Sequence, residues 1–158
     1  MGLAAAIEWF VEQACGPEAV KSSVRVGKGW RRLGPTAEVG LFRIVQEAVN
    51  NALRHGHPQN VNVTLDIADG LVELTIEDDG QGFSPPRSHF DLLSKGKLGL
   101  LGIEEGAREL GAELDIRARP GKGAVIAVRC SLKRLKEQEL EEQDISETHQ
   151  AVRLRSYC

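Results

Sequence analysis

Aromatic residues, cysteines and long apolar runs are all scarce in this chain of 158 residues. Aromatic side chains make up 4% of it and form no stripe with basic residues, which argues against a nucleic-acid partner. Cys15, Cys130 and Cys158 lie far apart and form no CxxC pair, so neither a zinc site nor a disulfide framework is indicated. No apolar run approaches the ~20 residues of a membrane helix, and Glu8 interrupts the N-terminal run that could have served for secretion. These absences favour a globular domain in a reducing, cytoplasmic setting.

Hydrophobic periodicity predicts an interleaved order of helices and strands. The predicted helices cover residues 2–15, 35–55 and 102–110, and the predicted strands cover 22–26, 61–67, 71–77, 114–118 and 125–130. From Lys133 onward charged residues dominate, which predicts a solvated helix that fades into a disordered tail. We therefore expect an α+β fold, a two-layer sandwich with helices on one face of a mixed, mostly antiparallel sheet of about five strands.

An acidic residue at the end of the 71–77 strand is the most informative feature of the chain. The strand alternates apolar and polar residues, so Asp78 falls on its apolar side. A carboxylate aimed into a core needs hydrogen-bond donors, and Gly80 and Gly82 leave open backbone beside it. The arrangement suits a pocket for a flat ligand with an amino group. The alternative is a tight turn with a solvated Asp.

Two further patterns suit an anionic ligand. Glu47 and Asn51 lie four residues apart on a helix, so their oxygens could share a hard cation such as Mg²⁺. Such a cation would help an anionic ligand, because the chain has a net charge of −3. Gly99 and Gly102 stand directly before a predicted helix start, where free backbone N–H groups can bind anions. The alternatives are a solvated Glu/Asn pair and a flexible hinge.

The order of these motifs is more specific than any one of them. A helix with Gln46-Glu47-Ala48-Val49-Asn50-Asn51 precedes Asp78-x-Gly80-x-Gly82, and Gly99-Leu100-x-Gly102-Ile103 and Gly121-x-Gly123 follow. Over about residues 33–132 this order resembles the family of ATPases shared by DNA gyrase, the Hsp90 chaperone, sensor histidine kinases and MutL. The Phe42–Ala48 segment and the Gly99–Ile103 segment resemble the bacterial sensor histidine kinases with a short nucleotide lid.

The resemblance implies the Bergerat-type ATPase fold, with ATP and Mg²⁺ as ligands. Asp78 would accept a hydrogen bond from the adenine amino group, and Gly80 and Gly82 would admit the purine. Asn51 would be the metal ligand, and Glu47 would act as a base or position the phosphoryl acceptor. Further nucleotide contacts are implied for Gly99, Leu100, Gly102, Ile103 and Gly123, with residues 84–98 as the lid.

The resemblance also implies a division of the chain and a set of partners. Residues 1–16 would end a dimerisation helix, 17–132 would bind ATP, and 133–158 would form a charged tail. The domain would donate the γ-phosphoryl group to a histidine on a separate dimerisation domain, since no suitable acceptor histidine is present. We expect a response regulator as the next partner and a homodimeric full-length kinase, attached to a membrane only through upstream segments.

Two other functions stay open at this point. An anti-sigma-type kinase would phosphorylate serine on a partner with much the same Glu–Asn helix and lid. A non-catalytic, nucleotide-gated binding module is favoured by Asp79 and Glu104, which add negative charge near the expected phosphates. Ala124 also replaces a threonine that is usual in the family.

Overall fold

A computed structural model describes residues 1–84, 87 and 98–155 of the chain. It contains four α-helices within that part: α1 (Leu3–Cys15), α2 (Pro35–Asn51), α3 (Leu98–Glu109) and α4 (Leu132–Arg155). A π-helical turn, Ala52–Gly56, extends α2. The strands are β1 (Lys21–Val26), β2 (Asn60–Ala68), β3 (Leu71–Asp78), β4 (Glu113–Ala118) and β5 (Ala124–Ser131). No helix in the described ranges combines the length and the apolar character that crossing a bilayer requires.

The five strands form one mixed sheet in the order β1-β2-β3-β5-β4. Strand β1 pairs with β2 in parallel, and the other three pairings are antiparallel. The turn between β2 and β3 has positive φ at both central residues, 51° at Asp69 and 74° at Gly70, as tight hairpin turns require. The predicted fold class and hairpin are therefore confirmed.

One hydrophobic core lies between the helices and the inner face of the sheet. Alternate residues of β2 and β3 point into it, and Val63, Leu65 and Leu74 have no exposed surface. Helix α1 packs against α2 and β1, and its buried residues, among them Ile7 and Val11, belong to the same core. The polar residues of β3 and β5 lie on the opposite, solvent-exposed face of the sheet, where Arg129 and Glu73 form an ion pair at 3.0 Å.

Three helix boundaries differ from the predictions. The α-helical part of α2 ends at Asn51, and the left-handed residue that ends the π-helical turn is His57 (φ 48°). Helix α3 begins at Leu98, four residues before the predicted start at Gly102. Helix α4 continues to Arg155, and its first turns are packed on the domain where a solvated helix was predicted. Hydrophobic periodicity in the sequence does not reveal the tertiary contacts that stabilise the ends of helices.

Helices α2 and α3 run antiparallel, and glycines supply their contacts. A Cβ atom added at Gly40 would lie 3.0 Å from Leu110 at one end of the pair, and one added at Gly106 would lie 3.2 Å from Ile44. Towards the other end, Gly102 and Gly99 lie against the side chains of Glu47 and Asn51. Glycine at these positions lets the two backbones approach closely, and it places the Glu–Asn motif beside the start of α3.

Candidate nucleotide site

A pocket of about 670 Å³ opens at the end of the helix pair, between α2, β3 and α3. Its volume falls within the range of about 300–1,000 Å³ that is usual for small-molecule sites. The described residues that line it are Glu47, Ala48, Asn50, Asn51, Ala52, Arg54, His55, Gly56, Asp78, Gly82, Phe83, Gly99, Leu100, Ala124 and Ile126. It therefore joins the Glu–Asn helix, the Asp78 strand end and the glycines of α3, which are distant in sequence.

Asp78 lies half-buried in this pocket at the end of β3, as its strand parity predicts. One carboxylate oxygen, Oδ1, accepts a hydrogen bond of 2.8 Å from the Gly80 amide. Burial raises the pKa of the Asp78 carboxyl, the Gly80 bond opposes that effect, and the Asp79 and Glu77 carboxylates raise the pKa further. The second oxygen, Oδ2, accepts no hydrogen bond within the described residues, so it can accept one from a ligand.

The glycines around Asp78 are required by close contacts between backbones. A Cβ atom added at Gly80 would lie 2.5 Å from the carbonyl oxygen of Gly56. Gly82 and Gly123 have φ values of 63° and 73°, and added Cβ atoms would overlap carbonyl oxygens of Arg119 and Asp78, respectively. Of the three, only Gly82 lines the pocket, so Gly80 and Gly123 shape the site from behind.

Glu47 and Asn51 form the wall of the pocket next to the start of α3. A Cβ atom added at Gly99 would lie 3.4 Å from Asn51 Oδ1 and 3.6 Å from Glu47 Oε2. The two side-chain oxygens thus converge over the same short stretch of backbone. A carboxylate and an amide oxygen so placed provide the hard ligands that Mg²⁺ prefers, and few are needed because Mg²⁺ keeps several waters.

The glycines of α3 differ from their prediction in one respect. Both Gly99 and Gly102 lie inside the helix and not before it, so the backbone N–H groups left without helical partners belong to residues 98–101. Gly99 and Leu100 line the pocket. A Cβ atom added at Gly102 would instead lie 3.8 Å from Cγ and Cδ of Glu47, and Ile103 is fully buried in the core.

The structure brings six of the ten predicted site residues into the pocket wall: Glu47, Asn51, Asp78, Gly82, Gly99 and Leu100. The other four, Gly80, Gly102, Ile103 and Gly123, lie behind the wall. The predicted lid, residues 84–98, lies almost entirely outside the described residues.

Sequence reasoning missed Arg54 and His55, which also line the pocket. Both belong to the π-helical turn, whose wider winding changes which residues face the pocket relative to a regular α-helix. They place basic side chains beside Glu47 and Asn51, where an anionic ligand in this acidic chain needs local positive charge. The only available signal was their position one turn beyond Asn51.

Asp79, whose charge was expected near the phosphates, is not among the described residues that line the pocket. Its carboxylate accepts hydrogen bonds from the backbone amides of Gln59 and Asn60, both 2.8 Å, and from Asn60 Nδ2 at 2.7 Å. These bonds, those from Asn60 above all, lower the pKa of the Asp79 carboxyl. Glu104 is not among the lining residues either, whereas Ala124 is. The acidic residues therefore give little support to a non-catalytic module.

Comparison with known proteins identifies the family. The model of the family described as "Histidine kinase-, DNA gyrase B-, and HSP90-like ATPase" matches residues 36–134, more than half of the chain. The chain therefore belongs to this family of ATPases. The match spans α2 through the start of α4 and includes every predicted site residue.

Within the family, two similar proteins are named as histidine kinases. The chain is 37% identical over 103 residues to the "Signal transduction histidine-protein kinase/phosphatase DegS" of Bacillus subtilis, covering 65% of this chain and 26% of that protein. It is 38% identical over 98 residues to an "Uncharacterized sensor-like histidine kinase" of Chloroflexus aurantiacus, covering 61% of this chain and 16% of that protein. The chain thus spans about a quarter or less of the length of these relatives.

A solved structure has the same fold. The histidine kinase domain of the Erythrobacter litoralis EL346 blue-light activated histidine kinase superposes with a TM-score of 0.72 at 22% identity, covering 87% of this chain and 64% of that one. At this identity the likeness concerns the fold, and it confirms the two-layer arrangement predicted from the sequence.

Proposed function

We propose that this chain is the ATP-binding catalytic domain of a two-component sensor histidine kinase. It would donate the γ-phosphoryl group of Mg-ATP to a histidine on a separate dimerisation domain. The observation that carries the proposal is the half-buried Asp78 carboxylate in a pocket that also holds Glu47 and Asn51. Membership of the ATPase family and the kinase relatives support it.

Asp78 would select adenine. Its free oxygen requires a donor, and adenine presents an amino group where guanine presents a carbonyl oxygen. Gly82 would leave room for the purine beside this carboxylate, and Gly80 holds the carboxylate in place through its amide. A guanine oxygen facing the carboxylate would be repelled, so the pocket would discriminate by charge as well as by shape.

The opposite wall would hold the phosphates and the metal. Asn51 Oδ1 would bind Mg²⁺, and Glu47 would act as a base or orient the incoming acceptor. Arg54, His55 and the free amides at the start of α3 would offset the phosphate charge. Phosphoryl transfer depends chiefly on such positioning and charge neutralisation, which Mg²⁺ supports when bound.

The acceptor would come from another domain. His55 and His57 lie at the π-helical turn, and His149 lies on α4 with its ring nitrogen 2.9 Å from the carbonyl oxygen of Ile145. None has the acidic neighbour expected of an acceptor histidine. We propose that residues 1–16 connect to the dimerisation helices of a homodimeric kinase in the cytoplasm, and that a response regulator then receives the phosphoryl group.

Titration with a fluorescent ATP analogue, with and without Mg²⁺, followed by a transfer assay tests the proposal. With γ-labelled ATP the isolated chain should stay unlabelled, and added dimerisation helices of the same kinase should acquire an acid-labile phosphohistidine. Acid-stable label on a partner serine would favour the anti-sigma-type kinase. Nucleotide binding without any transfer would favour the non-catalytic module. If GTP competes as well as ATP, the proposed role of Asp78 in selecting adenine is wrong.

A further inference from the structure

Helix α4 lies across the end of the α2–α3 pair that is remote from the pocket. Its first turn is anchored in the core by Leu132 and Leu135, which are 7% and 3% exposed. The matched family region ends at residue 134, so most of α4 lies beyond it. Even so, the next two turns of α4 contact the domain through specific polar side chains.

Two glutamates of α4 meet the start of α2. Glu139 Oε1 accepts a hydrogen bond of 3.1 Å from the Ala37 amide, and Glu142 accepts one from the Thr36 hydroxyl. The residue before the helix, Gly34, provides no side-chain cap, and a Cβ atom added to it would overlap the Glu139 side chain. Glu139 thus supplies from α4 the cap that α2 lacks, and its charge suits the positive end of that helix.

The same helix meets the end of α3 with groups of the opposite character. Gln138 Nε2 donates to the carbonyl oxygen of Glu109 at 3.5 Å, and the Arg134 guanidinium lies over Gly111, whose φ is 63°. Donors and a cation suit the carbonyl end of a helix. Helix α4 therefore joins the two adjacent ends of the pair, each with side chains that suit its polarity.

The way in which α2 packs against α3 links the contacts of α4 to the pocket. Glycines at 99, 102 and 106 face α2 along the pair, and the side chains of Ile44, Glu47 and Asn51 lie against them. Packed helices of this kind can slide by small amounts. Glu47 and Asn51 on α2 face Gly99 on α3, so any sliding would change the pocket.

We propose that Glu139 is a positioning residue that fixes the register of α2 against α3 and thereby sets the geometry of the nucleotide pocket. The part of this inference that concerns nucleotide affinity rests on the proposed function. The part that concerns the helix pair does not.

Four variants test it. Glu139→Ala removes the cap, and Gly34→Ala adds a methyl group that displaces the Glu139 side chain while its charge stays in the chain. Gly34 has a φ of −68°, so alanine fits its backbone. Glu139→Gln keeps an acceptor oxygen for the Ala37 amide, so this variant should behave much like the unaltered chain. Glu141→Ala, at an exposed position on the same helix, is the matched control for lost charge.

Hydrogen exchange of the nucleotide-free chain is the first measurement. Glu139→Ala and Gly34→Ala should speed exchange at residues 47–52 and 99–103 while the β2–β3 hairpin stays as protected as before. The second measurement is the Kd of a fluorescent ATP analogue, at a temperature where circular dichroism shows every variant folded. The same two variants should weaken binding by about three- to tenfold, and Glu141→Ala should not.

Each outcome decides the inference. Faster exchange confined to residues 34–38 and α4, with an unchanged Kd, would overturn it, as would a uniform loss of protection that includes the hairpin. If the unaltered chain binds no ATP analogue, the proposed function fails, and the exchange at residues 47–52 and 99–103 alone then decides whether Glu139 sets the register.

Discussion

Replacement of Asp78 by asparagine should separate ligand recognition from folding. The carboxylate has two acceptor oxygens, and Oδ1 is already bonded to the Gly80 amide. Asparagine has one acceptor oxygen, so either Gly80 or the adenine amino group must lose its partner. Because the Gly80 bond is local, we expect it to persist and the ligand contact to be lost.

The magnitude follows from the charge of the acceptor. A hydrogen bond to a charged group contributes about 1.5–3 kcal/mol, and at ~1.4 kcal/mol per factor of ten this is a loss of about 10- to 150-fold in affinity. Whereas the affinity for the ligand should fall, the free energy of unfolding of the domain should stay the same or rise. Since burial raises the pKa of Asp78 above 3.8, the folded domain holds this proton more tightly than the unfolded chain. Stability therefore falls as the pH rises through the interval above 3.8, and at neutral pH the uncharged amide removes that cost.

Isothermal titration with an ATP analogue and thermal unfolding at pH 7 measure the two effects. Asp78→Asn should bind at least tenfold more weakly and unfold at an equal or higher temperature than the unaltered chain. Asp69→Asn is the matched control, because Asp69 lies in the exposed hairpin turn at the other end of β3, and asparagine tolerates its positive φ. Unchanged affinity in folded Asp78→Asn would refute the reasoning, and a lower unfolding temperature would indicate that the carboxylate has a structural role instead.

Three other predictions follow from single side chains. Asn51→Ala should abolish phosphoryl transfer and the Mg²⁺-dependent part of nucleotide binding but spare binding measured in EDTA; equal losses in both conditions would point to a structural role. Asp79→Asn should lower the free energy of unfolding near neutral pH, because the bonds that lower the pKa of Asp79 stabilise the fold above pH 3.8. This contribution is lost as the pH falls through the lowered pKa. Denaturant titrations should therefore show a smaller difference between the variant and the unaltered chain at pH 3 than at pH 7. Cys130, whose pKa burial raises to about 11, should resist alkylation at pH 8 until the chain unfolds, as should buried Cys15, and mass spectrometry of labelled peptides would detect the contrary.

The sequence predicted the sheet and the side of β3 on which Asp78 lies, because both depend on strand alternation. Once the strand before Asp78 is recognised, the side on which its carboxylate falls follows from a period of two, and the burial of Leu74 and Ile76 agrees with it. The Asp69-Gly70 turn similarly fixed the hairpin, since few residues tolerate positive φ at both positions. These features are local, so the residues that determine them are neighbours in the chain.

The features that were missed depend on contacts between distant segments. The π-helical turn that brings Arg54 and His55 to the pocket forms where Gly56 meets Gly80, 24 positions later in the chain. The orientation of Asp79 is determined by Asn60 on the neighbouring strand. Nothing in the short motif around Asp79 distinguishes an acid that binds β2 from one that repels phosphate.

A backbone contact joins the two halves of the site that carry the proposed recognition. The Gln81 amide donates to the Gly56 carbonyl oxygen at 2.7 Å, which ties the end of the Glu47–Asn51 helix to the loop after Asp78. Any side chain at Gly80 would push that carbonyl away, so the distance between the acid and the Glu–Asn pair is determined by the main chain. At the pocket end of α3, Gly99 and Gly102 contact α2 through the side chains of Asn51 and Glu47. A shift of the wall with Gly99 and Leu100 would therefore change the pocket without breaking this backbone frame, and we propose that α4 restrains that wall from the opposite end.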